Sequence, residues 1–88
     1  MPYYLFRCRS LTYAQRTAAA LGRAGITSYI MRSPKSVAGE GCSHCVKVSR
    51  KNVRDALRVL RSVGLYPTKL YLAEGDGIYR EVFADDLP

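Results

Sequence analysis

An internal echo constrains this chain more than any other feature. Shifting the sequence by 39 residues lays Ala14, Ala18, Leu21, Ala24 and Gly25 on Val53, Leu57, Leu60, Val63 and Gly64. Each set has the spacing of a helix face and closes on a glycine, the usual stop signal. Short runs of β-favouring residues flank both sets: 3–9 and 27–32 in the first half, 44–49 and 68–73 in the second. A strand-helix-strand unit used twice reads β-α-β-β-α-β. Right-handed crossovers then place both helices on the same side of one sheet.

The expected fold class is therefore α+β, a ferredoxin-like βαββαβ sandwich. It has a four-stranded antiparallel sheet with two helices on one face and the other face open. Ser10 or Thr12 caps the first helix, and Gln15 three residues after Thr12 fits a capping box. That helix buries Ala14, Thr17, Ala18, Leu21 and Ala24. Ser49 caps the second helix, which buries Val53, Ala56, Leu57, Leu60 and Val63. Residues 33–41, rich in Ser, Pro, Lys and Gly, read as a loop. The first and third strands are central neighbours, which brings Cys8 near Cys45. The open face should show Arg7, Arg9, Lys47, Lys69 and Tyr71. Residues 1–73 form the domain. Residues 74–88, beyond a Gly75-Asp76-Gly77 break, form an acidic tail that either adds an edge strand over 78–83 or stays mobile.

At 88 residues the chain has a thin core and little room for the deep cleft of an autonomous enzyme. No apolar run approaches the roughly 18 residues of a membrane span. Tyr3-Tyr4-Leu5-Phe6, followed at once by Arg7, is too short for a signal-peptide core. The expected address is cytoplasmic, where three cysteines are free, metal-bound or reactive rather than disulfide-bonded. Thirteen of the fourteen Lys/Arg precede residue 74, against only Glu40 and Asp55. A body this basic attracts acidic partners, protein or nucleic acid, unless the charge serves solubility alone.

The chemistry concentrates in Gly39-Glu40-Gly41-Cys42-Ser43-His44-Cys45, a Cys-x-x-Cys that encloses the only histidine. Three uses compete with the plain alternative of a small strand hydrophobe and an exposed bystander. Zinc needs four ligands, so Cys42 and Cys45 would hold it only by pairing with a second chain in a homodimer. A thioredoxin-type couple sets its first cysteine at a helix N-terminus, whereas here a strand follows. A loop cysteine carrying sulfur as a persulfide needs an accessible thiolate and room for a partner's cysteine. Gly39 and Gly41 give the room. Lys35, Lys47 and the second helix's arginines favour the thiolate, and Cys45 is close enough to act as a resolving thiol.

Pro34-Lys35-Ser36-Val37, a small-residue spacer, then Gly41-Cys42-Ser43-His44-Cys45-Val46-Lys47-Val48 resembles the selenium/sulfur carrier protein-like family of short bacterial domains. Gly25-Ile26 and Gly64-Leu65 after the two helices match as well, so the resemblance spans about residues 3–73. It implies that Cys42 stands at the carrier position and Lys47 at the strand's basic position. The implied function is a non-enzymatic relay without a cofactor. It would take sulfur from a cysteine desulfurase, or selenium from its donor, and pass it to an acceptor enzyme. Gly41, Ser43, His44, Lys35 and Lys47 support Cys42, and Arg50, Arg54, Arg58 and Arg61 form the docking face. Two alternatives stand beside it. One is a basic RNA- or tRNA-binding module, although the third strand lacks the aromatic residue that RNA-recognition sheets of this shape use. The other is a Cys-x-x-Cys metal-binding regulator.

Overall fold

The computed structural model describes residues 2–39 and 44–88. Along the chain lie β1 (Tyr3–Cys8), α1 (Leu11–Arg23), β2 (Tyr29–Arg32), α2 (Lys35–Ala38), β3 (His44–Ser49), α3 (Val53–Ser62), β4 (Lys69–Gly75) and β5 (Ile78–Val82). A 3-10 turn, Arg50–Asn52, leads into α3, and another, Ala84–Asp86, follows β5. All pairings are antiparallel, in the order β2-β3-β1-β4-β5. The α+β class and the central β1–β3 pair agree with the sequence. Cys8 lies opposite His44, one position from Cys45. Among the described residues no helix is long and apolar enough to cross a membrane.

Among the described residues the sheet has five strands and there are three α-helices, so the four-stranded, two-helix expectation is corrected. The fifth strand comes from the acidic C-terminal residues. Val82 and Leu87 of that stretch are buried in the main core, which supplies the apolar contact that holds β5 against β4. The third helix is a single turn, α2, inside the region expected to be a loop. Pro34 precedes it, and its carbonyl accepts from the amides of Val37 (2.9 Å) and Ala38 (2.8 Å).

The 39-residue echo has a structural cause. Each long helix ends with a left-handed glycine, Gly25 (φ 81°) or Gly64 (φ 75°). The following amide, Ile26 or Leu65, bonds back to the carbonyl of Leu21 or Leu60 at 2.9 Å. This is the Schellman closure, in which an apolar residue after the glycine folds back on the helix. Ile26 and Leu65 both pack against the core. The residue before each glycine has left the helical face, and Ala24 and Val63 are exposed rather than buried as expected. At the other end of α1, Ser10 is the cap, its Oγ accepting from the Tyr13 amide at 3.2 Å, so the Thr12 capping box does not form. Ser49 makes no side-chain cap on the turn before α3.

Strand alternation divides the apolar residues between two layers. Tyr4, Phe6, Cys8, Val46, Val48 and Leu70 pack against α1 and α3. Leu5, Cys45 and Tyr71 emerge on the opposite side, where Val37 of α2 covers them with Tyr3, Met31 and Tyr79 at the margin. The second face is therefore roofed at one end rather than open. Tyr71 is buried, Lys69 pairs with Glu81 (3.7 Å), and Arg9 lies over the Tyr13 ring of α1 (4.5 Å) instead of joining this face.

Leu60→Ala empties a fully buried site and should cost about 2–5 kcal/mol in urea unfolding. Val63→Ala, 50 % exposed in the native fold, should stay within about 0.5 kcal/mol. Equal losses would place Val63 back on the buried stripe.

Candidate functional site

The described part of the site lies where α2 meets the ends of β1 and β3. Odd positions of β1 face this side, and Arg7, the last of them within the strand, sends its guanidinium under α2. Its Nη2 donates to the Ala38 carbonyl at 2.7 Å. The next residue, Gly39, has φ 65°, and a Cβ there would stand 3.1 Å from Arg7 Nη2. Both the backbone conformation and the close cation call for glycine. Arg7 thus fixes the chain at the last described residue before 40–43.

Cys45 enters the same site from β3, directly opposite Arg7. It is fully buried, with Sγ 3.0 Å from the Ser33 hydroxyl. Burial pushes its thiol pKa up, and the Ser33 hydrogen bond and the Arg7 charge oppose that shift. Cys8 faces the other layer, with Sγ 3.8 Å from Thr17 Oγ1. Its thiol is also pushed up by burial, eased by the Thr17 bond. Both cysteines are free. Farther along the same face, Tyr3 and Tyr79 share a hydroxyl-hydroxyl hydrogen bond of 3.3 Å. That bond and burial push the Tyr79 pKa up to about 12.

The predicted site residues fall in three places. Gly41, Cys42 and Ser43 lie outside the described residues, as does Glu40. His44 is half-buried at the start of β3, and Lys35 is exposed on α2. Lys47 belongs to the Cys45 face but leans over the Tyr3 ring, Nζ 4.2 Å from its centre, two positions down the strand from Cys45. Arg50, Arg54, Arg58 and Arg61 are exposed on the turn before α3 and on α3 itself, in the layer across the sheet from Cys45. Three of them have partners: Arg54 donates to the Leu87 and Pro88 carbonyls (3.0 and 2.8 Å), Arg58 pairs with Asp55 (3.3 Å), and Arg61 covers Tyr66. The cation acting on Cys45 is therefore Arg7. Sequence reasoning placed Arg7 on an open face and gave Ser33 no role. The available signal was strand parity, which puts Arg7 and Cys45 on one side, together with the lone aliphatic Val37.

Among the described residues no group of three or more His, Cys, Asp or Glu could hold a metal ion. Zinc bound through Cys42 and Cys45 of two chains would draw on a residue outside the described set.

The family model described as "Putative Se/S carrier protein-like" matches residues 3–72. The chain belongs to that family. No curated protein and no solved structure matches it. The matched span runs from the start of β1 into β4, so it takes in both helix-glycine closures and the α2–β3 connection.

Thiol burial has two readouts. In native protein near pH 8, iodoacetamide should modify Cys8 and Cys45 only at the rate of opening, as peptide mass spectrometry would record; rapid labelling of Cys45 would contradict its place under α2. With both thiols raised above their ordinary 9.0, the unfolded chain ionises them first. Their stabilising contribution is full below pH 9 and fades as pH rises through and beyond it. Cys45→Ala should flatten that alkaline decline in urea titrations.

Proposed function

We propose that this protein is a sulfur or selenium carrier that receives a persulfide or perselenide on Cys42 and relays it to an acceptor enzyme. The observation that carries the reading is the burial of both other cysteines. Cys8 and Cys45 are buried and offer a partner almost no surface, and burial disfavours their thiolates. Membership of the carrier-like family supports the same conclusion. We read β1–β4 with α1 and α3 as a ferredoxin-like core to which α2 and β5 are added, and the protein as cytoplasmic.

Loading is a thiol exchange. The Cys42 thiolate attacks the terminal sulfur of the donor's persulfide, a new S–S bond forms, and the donor's S–S bond breaks to release its cysteine as thiolate. An acceptor thiolate repeats the step on the Cys42 persulfide. Lys35 on α2 and Arg7, bonded to the Ala38 carbonyl, bring positive charge to the chain that leads into residues 40–43, which favours a thiolate. His44 takes up the thiol proton.

Cys45 modulates the relay. Attack of its thiolate on the Cys42 sulfur would form a disulfide and expel hydrosulfide, discharging the carrier without delivery. A thiol held protonated beneath Val37 and bonded to Ser33 reacts this way slowly, so the loaded state persists. The exposed arginines of α3 draw in an acidic donor or acceptor surface.

Incubation with a cysteine desulfurase and cysteine, read by intact mass, should add one reductant-labile sulfur to the wild type and to Cys45→Ser, and none to Cys42→Ser. Equal loading of all three would overturn the assignment. Stoichiometric zinc that shields both thiols from alkylation would favour the metal-binding reading. Arg58→Glu, on an exposed side chain, should leave the melting temperature nearly unchanged and slow loading at low salt. An unchanged loading rate would reduce the stripe to a solubility feature.

A further inference from the structure

The roof over the second sheet face is incomplete. Beyond Val37 and Cys45, toward the far end of β3, lies a cavity of about 560 Å³, within the range of small-molecule sites. Ser49, on its wall, is four residues from Cys45, roughly 13 Å along the strand. Tyr3, Thr27, Tyr29, Lys47 and Lys51 line it too, and among the described residues no carboxylate does.

Three features of this lining converge on one ligand chemistry. Tyr29 is 64 % exposed on the edge strand, a large aromatic surface with no apolar cover. Lys47 is held over the Tyr3 ring, a contact that orients the ammonium at the cavity wall without neutralising it, and Lys51 supplies a second charge. Ser49 Oγ is buried and has no hydrogen-bond partner among the described residues. A buried hydroxyl left without a partner is destabilising, and a ligand hydrogen bond would complete it.

We propose that this cavity binds a nucleotide unit, with the base stacked on Tyr29 and the phosphate held by Lys47 and Lys51 beside the Ser49 hydroxyl. The inference does not depend on sulfur transfer, and its residues are separate from Cys42. Aromatic stacking tolerates any base because every base has a π face, and the lysines recognise the phosphate as point charges. The unit comes either from a free nucleotide or from an RNA strand, and the two sources are separable.

The test uses the full chain with two probes at about 50 mM salt, uridine monophosphate and a fluorescein-labelled octauridylate. Amide chemical shifts of Thr27, Tyr29, Lys47, Ser49 and Lys51 should move with at least one probe. Binding of the octamer alone identifies a strand, and equal occupancy by the monophosphate identifies a free nucleotide. Tyr29→Ala should weaken binding about 5- to 150-fold, the cost of one lost base-aromatic stack, while Tyr29→Phe retains it. For the octamer, Lys47→Ala with Lys51→Ala should lower the salt slope by about 1.4, and exposed Lys51→Ala alone by about 0.7, should the double variant fail to fold. No binding of either probe, indifference to Tyr29→Ala, or equal competition by polyglutamate would overturn the proposal.

Discussion

Leu5 and Phe6 are adjacent in sequence, both fully buried, and on opposite sides of one sheet. Much of the structure depends on satisfying that pair. An antiparallel sheet in a chain this short ordinarily keeps one face wet. Here α1 and α3 enclose Phe6, and the four-residue α2 is brought over Leu5. Because α2 is too short to be stable alone, its position depends on Val37 packing and on the Arg7 bond to Ala38. The segment that leads to Cys42 is thus anchored to the middle strand of the fold by its upstream end, and β3 anchors its downstream end at His44.

The electrostatics follow from the same geometry. Arg7 is the cation whose charge acts on the buried Cys45 thiol, because strand parity sets residues opposite one another on the same side. The α3 arginines, numerically dominant in the sequence, are separated from Cys45 by the sheet and partly engaged with Asp55, Tyr66 and the carbonyls of Leu87 and Pro88. The proposed attraction of an acidic partner and the tuning of the Cys45 thiol would therefore fall to different cations. Counting charges along the chain does not separate the two roles, whereas knowing the face does.

Much of the fold was legible because it rests on repeated local chemistry. The paired helix-glycine-aliphatic closures are written twice in the sequence, at Leu21-Gly25-Ile26 and Leu60-Gly64-Leu65. The same closures explain why Val63 and Ala24 misled: at the cap position the helical period no longer tells inside from outside. One turn of helix has no period to read, so Lys35–Ala38 looked like loop. The sequence left residues 78–83 open between an edge strand and a mobile tail, and Val82 and Leu87 in the core decide for the strand, whose acids an edge position tolerates. The Cys-x-x-Cys was plain in the sequence. A partly buried Cys45 was legible too, from its place on a valine-rich strand, but its bond to Ser33 and its cover by Val37 were not, because the positions of those residues are set only by the tertiary fold.

The pairing of β1 with both β3 and β4 has a consequence for synthesis. Strand β1 is made before either strand it pairs with, and its second neighbour is complete only at Gly75. At 5–20 residues per second, Tyr4, Leu5 and Phe6 wait roughly 3–14 s on the ribosome before both flanks exist. During that interval an aromatic, unpaired segment is open to wrong pairing or to chaperones. The flanking Arg7 and Arg9 are well placed as gatekeepers against aggregation of the nascent chain.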